Sequence, residues 1–235
     1  MRPHRIRLRR RRVFGRNLGN GSTMSSRTRL TYRIDAPGTR EKVMRFLNEI
    51  GIPARYEKGA TGFTVGCRID RGTLAVDPAC RVSTVLHEGA HLAITPRCFR
   101  ALMNGNLFAG RREMLRIMGE ADLHPDDPLY RAVIQCSDPE ATAWAWAAGI
   151  GLGLPGEEII RADEYDGDGE EIRLAMQMRS YVGVHGLAHA GFCEIRERNG
   201  VAAWPQMKFW TQEVGMPETC TRLACLRATS HSDER

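Results

Sequence analysis

Five consecutive residues, His87-Glu88-Gly89-Ala90-His91, constrain this chain more than any other feature in it. A helix turns once in about 3.6 residues and rises about 1.5 Å per residue. Side chains four apart therefore stand one above the other on the same face. That spacing lets two imidazoles reach one metal ion and sets Glu88 beside any water bound there. With the His and Glu content of this chain, the pattern arises by accident in about one such sequence in a hundred. It points to a zinc site and, through Glu88 as a general base, to hydrolysis.

The surrounding sequence supplies a helix for the motif. Residues 81–94 carry Val82, Val85, Leu86, Leu92 and Ala93 as apolar contacts, and Pro96 stops the run. Upstream, residues 62–67 and 73–76 flank Asp70-Arg71-Gly72, which reads as two strands joined in a hairpin. Residues 40–50 have helical spacing through Val43, Phe46, Leu47 and Ile50, closed by Gly51 and Pro53, and a strand-like run occupies residues 30–34. Downstream, residues 111–120 read as a helix with Met114, Leu115 and Met118 inward, and residues 121–137 as a loop containing Pro125 and Pro128. Asp138-Pro139-Glu140 reads as a helix start, with Asp as N-cap and Pro at the first helical position. The helix continues through residues 141–148, with Trp144 facing the core and Trp146 open to either core or cleft, and the glycines of 149–153 weaken its far end. Residues 163–171 form an acidic loop in which Asp166-Gly-Asp168-Gly-Glu170 lacks the full spacing of a calcium loop and reads as a solvated turn. Residues 171–181 are amphipathic and helical. The expected fold class is α+β of zincin-like form: a small antiparallel sheet packed on the helix carrying HExxH, with a second helix bringing a further ligand.

The formal charge of +6 is a property of one end. Residues 1–23 hold eight Arg and no acid, so a total of +6 leaves −2 on the remainder. The body has no excess of positive charge suited to nucleic acid. The expected organisation is a disordered basic tail at 1–28, a zincin-like core at 29–155, and a mainly helical region at 156–235 packed on that core. The Gly/Ser-rich stretch at 17–26 resembles a linker, so residues 1–23 read as a disordered extension or as residues upstream of a start at Met24. Seven cysteines, at 67, 80, 98, 136, 193, 220 and 225, form no C-x-x-C pair. An odd, scattered set suits a reducing cytosol. The longest apolar stretch, residues 141–154, is short of the roughly 20 needed to span a bilayer.

Two histidines do not complete a catalytic zinc site, which takes three protein ligands and a water. The metzincin extension needs Gly at 94 and His at 97; the chain has Ile94 and Arg97, so a carboxylate from another helix is expected. Glu113, 22 residues past His91, and Glu140, 49 past it, are both placed to serve.

Residues 73–155 resemble the ImmA/IrrE family of metallopeptidases. The resemblance rests on Leu74-Ala75-Val76, then Val85-Leu86-His87-Glu88-Gly89-Ala90-His91, then Glu140-Ala141-Thr142-Ala143-Trp144-Ala145 and Leu154-Pro155. Ala90 stands where that family often has Gly, and residues after 156 match nothing in it. The resemblance implies zinc ligands at His87, His91 and Glu140, Glu88 as the base, and a protein target of regulatory kind.

A donor for the developing oxyanion is sought in the C-terminal part, where Tyr181, His185 and His189 are the candidates. His185 and His189 are also four apart, but Gly183 and Gly186 disfavour a regular helix there. The expected protein is a cytoplasmic Zn2+-dependent peptidase acting on a protein or peptide substrate, with no membrane partner and no nucleic acid except through residues 1–23. The rival is a zinc-stabilised, non-catalytic binding module that contacts DNA through the Arg-rich tail.

Overall fold

The computed structural model describes residues 35–215. The basic tail, the strand at 30–34, the last dozen residues, and Cys220 and Cys225 lie outside them.

Helix α1 (Thr39–Glu49) buries Val43, Met44 and Leu47, one turn apart, and the chain leaves it through Gly51 at φ 85°. Three short strands follow: β1 (Ala54–Tyr56), β2 (Cys67–Asp70) and β3 (Thr73–Val76), in the order β1-β3-β2. The hairpin expected around Asp70-Arg71-Gly72 is present, with Cys67 opposite Val76. Arg71 and Gly72 both take left-handed φ values, 45° and 81°, as a two-residue turn requires to follow the strand twist. Two expectations change. The sheet is mixed, because β1 joins β3 in parallel register, Ala54 opposite Leu74. Three residues, Ala-Arg-Tyr, are too few to show alternation, which is why β1 is not readable from the sequence. The first hairpin strand begins at Cys67; residues 62–66 form a loop that carries Phe63 and Val65 outward, 91% and 83% exposed.

Helix α2 (Val82–Ile94) is a core element. Eleven of its thirteen residues are buried, and the two that are not, Thr84 and His87, face a cleft. It packs on α1, β2 and β3, and most extensively on α5 (Asp138–Gly151). Between them lie a 3-10 turn (Arg97–Leu102), α3 (Leu107–Glu120) and α4 (Pro128–Ile134). Helix α3 starts four residues before the expected position because Asn106 caps it, accepting a hydrogen bond from the Ala109 nitrogen. Helix α4 replaces an expected loop. Asp127 is its N-cap, accepting from the Leu129 nitrogen, and Pro128 takes the first helical position.

Helix α5 is buried along nearly its whole length, Trp144 and Trp146 included. Trp144 donates from Nε1 to the Trp210 carbonyl at 2.9 Å and stacks edge-on against the Trp210 ring, so both helical tryptophans are core residues. The helix runs on to Gly151, with Ile159 packed into the space a side chain at Gly149 would need. Helices α6 (Gly156–Ile159), α7 (Gly169–Gln177) and α8 (Val182–His189) follow, with a 3-10 turn at Tyr165–Gly167.

Helix α8 overturns the reading of Gly183 and Gly186 as helix breakers. Both face α5. A Cβ on Gly183 would enter the Pro139 carbonyl, and one on Gly186 would enter the Glu140 carboxylate. Each glycine costs a helix about 1 kcal/mol relative to Ala; here they permit backbone contact between two helices, and tertiary packing outweighs propensity. The architecture is α+β, mostly helical, and residues 35–215 belong to one unit. No helix among the described residues is long and apolar enough to cross a membrane.

Candidate metal centre

One turn of α2 brings His87 Nε2 and His91 Nε2 to 3.2 Å from each other. The first turn of α5 adds Asp138, whose Oδ1 lies 3.2 Å from His91 Nε2 and 3.8 Å from His87 Nε2. Zinc binds nitrogen and carboxylate oxygen at about 2.0–2.2 Å, which sets the edge of a tetrahedron at about 3.3–3.4 Å. The triangle of 3.2, 3.2 and 3.8 Å has edges close to that length, so the three donors lie within bonding reach of one such ion. His87, His91 and Asp138 form a group that could hold a metal ion. The imidazoles of His87 and then His91 beside it hold the Asp138 carboxyl well below the usual carboxylate range, so it meets the site as an anion.

Asp138, not Glu140, is the carboxylate brought to the histidines, and a one-residue difference in the helix start is the reason. Ser137 is the N-cap of α5, which moves Asp138 to the first helical position and Glu140 to the third. Ser137 and Glu140 are then at the two ends of an S-x-x-E capping spacing, and Ser137 Oγ donates to Glu140 Oε2. Glu140 is 5% exposed and lies against Gly186 of α8. Burial raises its pKa, partly opposed by the Ser137 hydrogen bond. Among the described residues, the group that could hold a metal does not include it. Glu113, the other candidate, is paired with Arg116 one turn along α3, and that pairing lowers its pKa.

The back of His87 is also organised. Thr142 Oγ1 donates to the Asp138 carbonyl at 2.8 Å and lies 3.5 Å from His87 Nδ1, while Tyr165 Oη lies 3.4 Å from that nitrogen and 3.2 Å from Thr142 Oγ1. A hydroxyl has one proton to give. Thr142 has given its own to Asp138, so towards His87 it can only accept. Acceptance favours the tautomer with the proton on Nδ1, which leaves the Nε2 lone pair for a metal. Thr142 thus links the two helices that carry His87, His91 and Asp138. Burial raises the Tyr165 phenol, keeping it protonated. Nothing in the sequence singles out Tyr165 within the acidic loop 163–171; in the structure Tyr165 and Asp166 both adopt left-handed φ, 57° and 59°, and the Tyr165 hydroxyl lies near His87.

Glu88 is 8% exposed and accepts a 2.6 Å hydrogen bond from Thr64 Oγ1 at its Oε1. Two cavities meet at this point. The larger, about 860 Å³, runs beside the loop 59–66 and reaches Tyr165. The smaller, about 430 Å³, runs towards α3 and is walled by Met103, Leu107 and Phe108. Both are lined by Phe63, Thr64, His87 and Glu88. The histidines therefore stand in a continuous cleft rather than a sealed interior.

The three sequence candidates for an oxyanion donor fare differently. His185 and His189 lie on the exposed face of α8, opposite the glycines that meet α5, and line neither cavity. Tyr181 is half-buried, and burial, partly opposed by Thr142, raises its pKa. Comparison with protein-family models, curated proteins and solved structures finds no match to this chain.

Proposed function

We propose that this chain is a zinc-dependent peptidase of zincin type, akin to the ImmA/IrrE family in its HExxH helix but with Asp138 as its carboxylate ligand. The observation that carries the reading is the convergence of His87, His91 and Asp138, at spacings that fit one ion, on the wall of an open cleft beside Glu88. Two imidazoles and a carboxylate suit zinc, and three protein donors leave a fourth position for solvent or substrate. When bound, zinc lowers the pKa of its water from 15.7 towards about 7 and polarises a carbonyl.

The chain's own residues do the rest. Glu88 takes the proton from the attacking water and returns it to the leaving amine. Thr64, by donating to Oε1, fixes the carboxylate rotamer and leaves Oε2 to handle the proton. Thr142 and Tyr165 hold His87 in the tautomer that presents Nε2. A cleft passing on both sides of the histidines suits an extended peptide, and the apolar wall of Met103, Leu107 and Phe108 suits a large apolar side chain next to the cleaved bond.

The test is Glu88→Gln with zinc content and hydrolysis of a peptide library measured together. The reading predicts unchanged zinc and turnover lower by about 10²–10⁴-fold. Equal turnover in the variant, or none in the zinc-loaded wild type across peptides bearing large apolar residues, would favour a non-catalytic metal module.

A further inference from the structure

Behind the wall of the larger cavity lie two facing thiols, one of which, Cys80, lines it. Cys67, the first residue of β2, and Cys80, two residues before α2, place their sulfurs 3.4 Å apart. They are 1% and 4% exposed, and Cys80 lines the cavity. A buried cysteine is usually a small apolar filler, and Cys136 shows how that looks here: its sulfur donates to the carbonyls of Ile94 and Ala132, it has no cysteine partner among the described residues, and burial pushes it up to about 12. Cys67 and Cys80 differ because each is the other's polar partner. The shared proton favours one thiolate: the hydrogen bond from Cys67 lowers Cys80, and the same bond raises Cys67. The thiol that is easier to ionise is the one on the cavity.

We propose that Cys67 and Cys80 form a redox-reversible dithiol site in the cleft wall, closed to a disulfide by hydrogen peroxide and reopened by a dithiol. The Cys80 thiolate attacks one peroxide oxygen; the O–O bond breaks, hydroxide leaves, and Cys80 becomes a sulfenic acid. The Cys67 sulfur then attacks the Cys80 sulfur, the S–O bond breaks, and the Cys67 proton leaves with that oxygen as water. Two thiols have lost two electrons and peroxide has gained them. A dithiol reverses the change by exchange through a mixed disulfide. Bond formation draws the sulfurs from 3.4 Å to about 2.05 Å. The movement falls on the loop that carries Thr64 and on the residues leading into α2, the two segments that position Glu88.

Trypsin cuts after Lys58, Arg68, Arg71 and Arg81, so Cys67 and Cys80 leave in separate peptides, 59–68 and 72–81. The full chain is treated with peroxide, unfolded, alkylated and digested without reductant. The expected product is those two peptides joined and two hydrogens lighter than their sum, lost after dithiothreitol, with Cys136 alkylated throughout. In Cys67→Ser the expected product is a sulfenic acid at Cys80, trapped by dimedone. Recovery of Cys67 and Cys80 both alkylated, or of Cys80 over-oxidised with Cys67 still a thiol, would overturn the proposal, as would linkage of either to a different cysteine.

Discussion

Gly183→Ala sets two opposite physical expectations against each other. In an isolated helix the change stabilises by about 1 kcal/mol, because Ala restricts the unfolded chain. At this position the new Cβ meets only α5 backbone: it enters the Pro139 carbonyl and comes to 2.9 Å from the Glu140 nitrogen. Comfortable contact begins at about 3.5 Å. Helix α8 or the first turn of α5 must therefore retreat by on the order of 1 Å, and overpacking of this kind costs about 1–3 kcal/mol. Because the obstruction is backbone, the upper part of that range applies and packing outweighs propensity. The net loss of about 1–2 kcal/mol lowers the melting temperature by about 2–8 °C for a chain of this size. The displaced peptide adjoins Asp138, so zinc affinity falls as well, by about tenfold or more. The control is Gly119→Ala near the end of α3, where nothing lies within 4 Å of an added Cβ; it gains a few tenths to 1 kcal/mol and leaves zinc binding alone. Thermal unfolding in chelator and zinc competition in its absence read the two effects separately. If Gly183→Ala is as stable as the control and binds zinc as wild type does, the contact of α8 with α5 does not position the ligand.

Other substitutions separate the parts of the site. Thr64→Val removes the 2.6 Å bond to Glu88; a hydrogen bond to a charged group is worth about 1.5–3 kcal/mol, so turnover falls by about 10–100-fold at unchanged zinc content, read by steady-state kinetics. Thr142→Val weakens zinc binding by about 10–100-fold through the His87 tautomer, and Tyr165→Phe by less, in competition with a chromophoric chelator. Burial raises Glu140, so its contribution to stability is full below its unfolded pKa and fades as pH rises through the higher folded value. Glu140→Gln cannot ionise; its stability relative to wild type should therefore climb as pH rises above the ordinary carboxylate range, seen in melting curves in chelator from pH 4 to 8, and a difference that stays flat with pH refutes the assignment.

What could be read from the sequence follows what each signal encodes. The HExxH helix was legible because the spacing of its histidines and the placement of its apolar residues are both helical, and the structure has α2 within one residue of the expected start. The family resemblance implies Glu140 as the third ligand, whereas the structure groups Asp138 with the two histidines. With Ser137 as the N-cap, Asp138 stands beside His87 and His91 while Glu140 is occupied with Ser137. The S-x-x-E spacing of Ser137 and Glu140 is the sequence signal for this helix start. Helix α4 was hidden by the two prolines read as loop markers, although Pro128 sits at the position where a helix accepts one. Tyr165 and the helical state of Gly183 and Gly186 were not legible at all, since left-handed φ at a tyrosine and backbone contact between helices arise from tertiary packing.

The central claim is that Asp138 joins His87 and His91 on one ion. Its most direct test is zinc stoichiometry and affinity of wild type, Asp138→Ala and Glu140→Gln, side by side. The account predicts one zinc per wild-type chain, affinity lower by about 100-fold or more in Asp138→Ala, and near-wild-type binding in Glu140→Gln. Retention of tight zinc by Asp138→Ala with loss in Glu140→Gln would contradict it.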